Sequence, residues 1–205
     1  HALEAAVTRD RNEISSRHAR LAFLLVQGNL EKVFSAPLDV EARGFVQLGA
    51  SHAGAAIESS MLGAAHSMAN PLTARRGVVH GNAVGMCLPA VMRFNAELPE
   101  VRSIYAGLAR DAGLAEAPAD DASATEAVIG QVEKLLSLAD FQLTLQQYDF
   151  SLEEVAGLAE EAFGQWTAGF NPRPVSGQDF AKLYASLFAG TACAEIGFES
   201  SSSKA

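Results

Sequence analysis

The chain has 205 residues, of which 49% are apolar and 19% charged, and 24 acidic against 15 basic side chains give it a formal net charge of −9. This composition excludes a disordered chain, and the acidic surplus excludes a general nucleic-acid binder because it would repel phosphates. No apolar run reaches the roughly 18 residues of a membrane span, so we expect no membrane partner. Cys87 and Cys193 lie far apart, which indicates neither a disulfide scaffold nor a CxxC metal site and favours a reducing compartment, the cytoplasm.

The chain opens on HALEAAV, which resembles the middle of an amphipathic helix because no capping residue precedes it. We therefore expect a fragment of a longer protein. Two more helices are predicted over residues 15–27 and 39–60, with a loop at 35–38. The second is rich in Ala and Gly, which favours close packing against a neighbouring helix.

The later predicted helices share an N-terminal capping residue and an apolar stripe at helical spacing. The stripe from Val101 to Ala112 ends at Gly113, a typical C-terminal cap. The N-terminal caps predicted for the others are Ser123 with Glu126, Ser151 with Glu154, and Ser176.

Loops are predicted at 70–79, 113–123 and 170–176, and residues 198–205 form a predicted flexible tail. No β alternation or hairpin turn is present. The pattern predicts an all-α fold, with residues 1–205 forming a single domain of eight or nine helices.

Two of the five histidines, His66 and His80, are fourteen residues apart. On one straight helix this spacing would separate them by roughly 21 Å, too far to share a metal ion. Pro71 and Gly77 are expected to break the helix between them, so that the chain turns back and the imidazoles converge. His80 is then expected at a helix N-terminus, facing inward, and that position favours the neutral imidazole that metals require.

Taken alone, these residues favour histidines satisfied by local hydrogen bonds over metal ligands. The same holds for His18 and His52, which are expected to be satisfied core residues on apolar helix faces. The interpretation of His66 and His80 as metal ligands stays open on the residues alone.

The segment LGAAHSMANPLTARRGVVHGNAVGMCLPAVMRFN, 62–95, resembles the signature of the iron-dependent (group III) alcohol dehydrogenase family. That family carries two metal-binding histidines fourteen residues apart, followed by His-Gly, Leu-Pro, Val-Met and Asn in the same register. HALEAAV is similar to the sequence that begins at the histidine of the family's DxxxH motif, and NPRP at 171–174 matches its C-terminal region. The similarity covers essentially the whole chain.

The resemblance implies the fold of the family's C-terminal domain, a dehydroquinate synthase-like helix bundle. It implies one Fe²⁺ or Zn²⁺ ion, held in the family by an aspartate and three histidines, here His1, His66 and His80. It also implies a small alcohol or aldehyde substrate, NAD(P) bound by an N-terminal α/β domain absent from this chain, and a homo-oligomer. Facing the substrate, Asn70 stands where many members carry a histidine, and Glu58, eight residues before His66, is a further candidate.

Two features bear on activity. The DxxxH aspartate would lie before His1, and His1 is expected to fray, so we expect the chain alone to bind metal weakly or not at all and to be inactive. No GxGxxG or P-loop occurs in the sequence, so the nicotinamide must bind elsewhere.

The alternatives are a non-catalytic helical interaction or regulatory domain, and a helical metallohydrolase, although no His-Asp dipeptide is present.

Overall fold

The computed structural model describes residues 1–116, 119–141 and 143–188, and within these ranges it contains nine α-helices and no β-strand. The helices are α1 (Ala2–Ala5), α2 (Glu13–Ser35), α3 (Val40–Ser60), α4 (Ala64–Arg76), α5 (His80–Asn95), α6 (Pro99–Asp111), α7 (Asp121–Leu138), α8 (Val155–Phe163) and α9 (Gly177–Ala185). Short 3-10 helices cover Leu145–Tyr148, Leu152–Glu154 and Trp166–Phe170. The all-α prediction is confirmed; the predicted tail and Cys193 lie outside the described residues.

The long helices α2 and α3 pack against each other as an antiparallel pair. A Cβ atom on Gly49 would lie 2.7 Å from the Val26 side chain and 3.2 Å from the Ala22 carbonyl oxygen, so glycine permits this close approach. Helix α2 extends well past the predicted end at residue 27, because a glycine such as Gly28 costs only about 1 kcal/mol inside a helix. No helix in the described ranges is long and apolar enough to cross a membrane.

The capping predictions had different outcomes. Ser176 caps α9, and Ser151 forms its predicted box with Glu154 before α8. The predicted cap at Ser123 is wrong, because the Asp120 side chain accepts from the Ser123 N–H and starts α7 one turn earlier. Aspartate is as good an N-cap as serine, so the sequence offered two competing starts.

The predicted loop at 70–79 is also wrong over most of its length, because α4 continues through Pro71 to Arg76. Proline in a helix interior removes one backbone hydrogen bond and costs about 3 kcal/mol. Helix α4 tolerates this because it is buried along most of its length, so packing outweighs the local penalty. The chain turns instead at Gly77, whose φ of 64° is left-handed and suits glycine.

Two apolar clusters form the core, and α5 lies between them. The first gathers buried residues of α4, α5, α8 and α9, and the second gathers those of α1, α2, α3, α6 and α7. Helix α5 presents Ala83, Cys87 and Val91 to the first cluster. Met92 belongs to the second cluster, and Leu88 packs against both.

Candidate metal centre

Three histidines from three helix starts meet at one place. His1 is the N-cap of α1, His66 lies in the first turn of α4, and His80 is the first residue of α5. The ring centroid of His66 lies 5.0 Å from that of His1 and 5.3 Å from that of His80. The turn at Gly77 therefore brings the imidazoles together as the sequence predicted, although Pro71 takes no part in it.

The three histidines differ in burial. His66 is 4% exposed, whereas His1 and His80 are exposed at the surface, so the prediction that His80 faces inward is wrong. His80 begins a helix at the surface, beside the exposed Val79. Partial burial, and then the charge of His66, lower the pKa of His80, against an opposing effect of Glu4. A lowered pKa favours the neutral imidazole, which is the form that binds metals.

The first turn of α1, where fraying of His1 was expected, is hydrogen-bonded and packed against the core. Its carbonyl accepts a hydrogen bond from the Ala5 N–H at 2.9 Å. Leu3 and Ala5 are buried in the second core cluster, where α1 contacts α2 and α3. This packing holds the first turn, and with it His1, in place.

The two ring nitrogens of His66 have opposite surroundings. Nδ1 is hydrogen-bonded to the carboxylate of Glu4, which is 3% exposed. Nε2 is buried and has no hydrogen-bond partner among the described residues. Buried polar atoms are almost always paired, so an unpaired imidazole nitrogen next to two other imidazoles marks a place for a ligand.

Glu4 also caps the helix that carries His66. Its Oε1 accepts hydrogen bonds from the backbone N–H groups of Gly63, at 3.1 Å, and Ala65, at 2.9 Å. Burial works against the charged carboxylate, but the hydrogen bond and charge of His66 and these N–H donors prevail, and the pKa of Glu4 lies below its ordinary value. An ionised carboxylate at a helix N-terminus is further favoured by the helix dipole.

Two motif asparagines close the other side of the same helix start. Asn171, the first residue of NPRP, accepts from the Ala64 N–H through Oδ1 at 3.1 Å. Its amide also exchanges two hydrogen bonds with Asn95, of 3.1 and 2.7 Å, and both side chains are 1% exposed. The motif residues thus fix where α4 begins.

The two predicted substrate-facing residues are not joined to the histidines by any described contact. Asn70 lies one turn after His66 on α4, and its Nδ2 donates to Gln165 Oε1 at 2.9 Å. Glu58 is exposed near the end of α3, and the chain leaves the helix at Met61, so helical spacing does not relate Glu58 to His66. The roles of Asn70 and Glu58 stay predictions.

The other two histidines pair with each other. The Nδ1 atoms of His18 on α2 and His52 on α3 are 2.8 Å apart, and both side chains are half-buried. The expectation that hydrogen bonding satisfies them agrees with this contact.

Sequence reasoning missed Glu4 and Asn171. The available signal for Glu4 was its isolation, since it is the one charged residue in HALEAAV. An acid placed among residues that must be buried needs a buried partner. Asn171 was treated as part of a stiff turn, and only the tertiary contact reveals its role.

The described residues contain no group of three His, Cys, Asp or Glu side chains already arranged around a metal position. The rings of His1 and His66 stack at an interplanar angle of 30°, so their nitrogens do not yet converge on one point. The unpaired Nε2, the two adjacent imidazoles and the carboxylate behind His66 nevertheless fit a divalent metal.

A comparison with known families decides the relationship. The family model described as "Fe-containing alcohol dehydrogenase family, C-terminal" matches residues 1–188. This chain belongs to the Fe-containing alcohol dehydrogenase family. The helical fold around the three histidines is the C-terminal domain of that family.

Curated relatives in the family include 1-propanol dehydrogenase PduQ of Salmonella typhimurium, 31% identical over 192 residues that cover 91% of this chain and 52% of that protein. Lactaldehyde reductase of Escherichia coli is 29% identical over 187 residues, covering 90% of this chain and 47% of its own length. The chain therefore spans about half the length of these two relatives.

Solved structures agree on the fold. A 1,3-propanediol oxidoreductase superposes with a TM-score of 0.87 at 26% identity, covering 92% of this chain and 49% of that one. An alcohol dehydrogenase from Oenococcus oeni gives a TM-score of 0.85 at 24% identity, covering 91% and 48%.

Proposed function

We propose that this chain is the metal-binding catalytic half of a nicotinamide-dependent alcohol dehydrogenase that interconverts a primary or secondary alcohol with its aldehyde or ketone. The observation that carries the proposal is the buried, unpaired Nε2 of His66, whose ring centroid lies 5.0 Å from that of His1 and 5.3 Å from that of His80. A non-catalytic helical domain would gain nothing from leaving a buried nitrogen without a partner, since that costs about 1–3 kcal/mol. Relatives named for 1-propanol, butanol and lactaldehyde suggest a short-chain substrate.

His1, His66 and His80 would hold the metal, Fe²⁺ or Zn²⁺. His1 and His80 are exposed, so their rings can turn toward the fixed Nε2 of His66 without disturbing the core. When bound, a divalent metal supplies Lewis acidity toward the alcohol or carbonyl oxygen. The chain's own contribution would be to bring the three imidazoles close together at the surface of the helical domain.

The remaining residues suggest how substrate and proton are handled. Asn70 would donate or accept a hydrogen bond at the substrate, but it cannot take up a proton near neutral pH. Its contact with Gln165 would have to open or share an amide hydrogen. Glu58 remains a second candidate, without a contact to the histidines.

Hydride transfer would come from NAD(P), whose glycine-rich binding motif is absent from this sequence. We therefore propose a nicotinamide-binding α/β domain as the essential partner, and no turnover from this chain by itself. A homo-oligomer in the cytoplasm completes the proposal, the latter because two distant cysteines suit a reducing compartment.

The test is to replace His66 and His80, one at a time, in a protein that carries this chain after a nicotinamide-binding domain. His66→Ala and His80→Ala should each abolish bound metal, measured by elemental analysis, and alcohol-dependent reduction of NAD(P)⁺. His18→Ala is the matched control and should retain both, because the described hydrogen bond of His18 joins it to His52 and not to the three clustered histidines. Metal-dependent turnover that survives in both single variants would refute the proposal.

A further inference from the structure

Glu4 lies at a buried position where a charged side chain carries a large desolvation penalty. It is 3% exposed and lies between buried apolar residues of α1. Burying a carboxylate is costly unless it is fully hydrogen-bonded, so its retention calls for a specific set of partners. Those partners are two backbone amides and one imidazole, all at the start of α4.

The two carboxylate oxygens of Glu4 have different partners. Oε1 accepts from the N–H groups of Gly63 and Ala65, and Oε2 contacts His66 Nδ1. Two backbone donors on one oxygen favour the ionised form, and an ionised carboxylate can only accept hydrogen bonds. His66 Nδ1 must therefore carry a proton, so in the neutral imidazole Nε2 is the nitrogen with the free lone pair.

We propose that Glu4 is a positioning residue that holds the proton of His66 on Nδ1 and so leaves Nε2 available to a metal ion. The first half of this statement concerns the chain alone; the second half rests on the proposed function. Carboxylates behind metal-binding histidines fix ring orientation and raise ligand basicity in other metal sites. Here the same carboxylate also defines the first turn of the helix that bears the ligand.

Asn171 supplies the comparison that separates positioning from folding. It bonds to the same helix start through Ala64, but no described contact joins it to His66. Replacing Asn171 should therefore lower the stability of the fold without changing which nitrogen of His66 carries the proton. Replacing Glu4 should change which nitrogen carries the proton even in a variant that still folds.

Glu4→Gln is the sharpest perturbation, because glutamine has the same shape. Its Oε1 can keep both backbone N–H bonds, which places its NH₂ group opposite His66 Nδ1. An NH₂ group donates, so Nδ1 must become the acceptor and the proton must move to Nε2. The variant is expected to invert the tautomer while preserving the start of α4.

Long-range ¹H–¹⁵N NMR of the histidine rings in the metal-free chain, at an alkaline pH where imidazoles are neutral, reports the tautomer directly. We expect His66 in the Nδ1–H form in the wild type and in Asn171→Ala, and in the Nε2–H form in Glu4→Gln. Glu160→Gln, an exposed change on α8, should match the wild type. A wild-type Nε2–H form, or a Glu4→Gln variant that keeps Nδ1–H, would overturn the inference.

Calorimetric titration with Zn²⁺ alone tests the link to the metal. Glu4→Gln should raise the dissociation constant by about 10–100-fold relative to Glu160→Gln. Equal affinities despite an inverted tautomer would refute the metal half of the inference. A wild-type chain that binds no Zn²⁺ would refute the metal half of the inference for this chain, and the NMR result would still decide whether Glu4 positions the proton of His66.

Discussion

Adding one methyl group at Gly63 should damage the start of α4 and lower the stability of the chain. A Cβ atom there would lie 2.8 Å from Asn171 Oδ1 and 3.3 Å from Glu4 Oε1. Contacts under 3.0 Å are essentially never tolerated, so the Asn171 amide would have to move. It is not free to do so, because its Oδ1 accepts from the Ala64 N–H and from Asn95 Nδ2.

The magnitude follows from the hydrogen bonds at risk. Displacing Asn171 Oδ1 weakens two of them, each with a net value of about 0.5–1.5 kcal/mol. If the Ala64 N–H is left buried without a partner, its desolvation costs about 1–3 kcal/mol. We therefore expect Gly63→Ala to reduce the free energy of unfolding by about 2–4 kcal/mol.

Urea unfolding followed by circular dichroism measures this loss as a lower midpoint with an unchanged slope. Gly44→Ala is the matched control: Gly44 is exposed inside α3, and an added methyl group there would meet nothing within 4 Å. It should gain up to about 1 kcal/mol, because alanine is the better helix former. A Gly63→Ala chain within about 0.5 kcal/mol of the wild type would show that the helix start is not tightly packed.

Three further outcomes are expected. Tyr184→Phe should lower the free energy of unfolding, measured with urea, by about 0.5–1.5 kcal/mol, because the buried hydroxyl donates a hydrogen bond to the Met68 carbonyl at 2.7 Å. An unchanged free energy of unfolding would mean that this hydrogen bond contributes nothing to stability. The hydrogen bond from the Ala42 N–H lowers the pKa of Asp39, so the ionised carboxylate stabilises the fold. Asp39→Ala should therefore unfold at a lower urea concentration than the wild type, with the largest difference in midpoint above about pH 4 and a smaller one as the pH falls further. A difference in midpoint that does not change with pH would contradict this. Extending α1 upstream with an aspartate four residues before His1 should tighten Zn²⁺ binding at least about 10-fold, measured by calorimetry against an asparagine version, and equal affinities would show that no anionic ligand is needed.

Local signals in the sequence identified most of the fold. Helices with an unambiguous cap, such as the one begun by Ser176, were located correctly because the capping bond involves only neighbouring residues. The signals failed where tertiary packing decides. Pro71 stays inside α4 because the helix is buried on nearly all sides, and no local pattern expresses that burial.

The proximity of the three histidines was predictable to a similar depth. The spacing and the break at Gly77 brought His66 and His80 together, and the family resemblance added His1. What supports them was not predictable, because Glu4 and Asn171 reach α4 across 61 and 107 positions of the chain. A single sequence does not express such contacts except as an unexplained acid or amide among buried residues.

The position of α5 between two apolar clusters has a consequence for how the protein opens. If either cluster melted alone, α5 would lose the burial of one face and destabilise the other cluster at once. The two halves should therefore open together, and the amide hydrogens around Cys87 and Met92 should exchange with solvent at the slowest rate, set by global unfolding. The exposed tip of the α2–α3 pair, at Leu38, has no such link and should exchange through local fluctuations. Since α5 begins at His80, the helix that carries these slowly exchanging amides starts at the edge of the candidate metal centre.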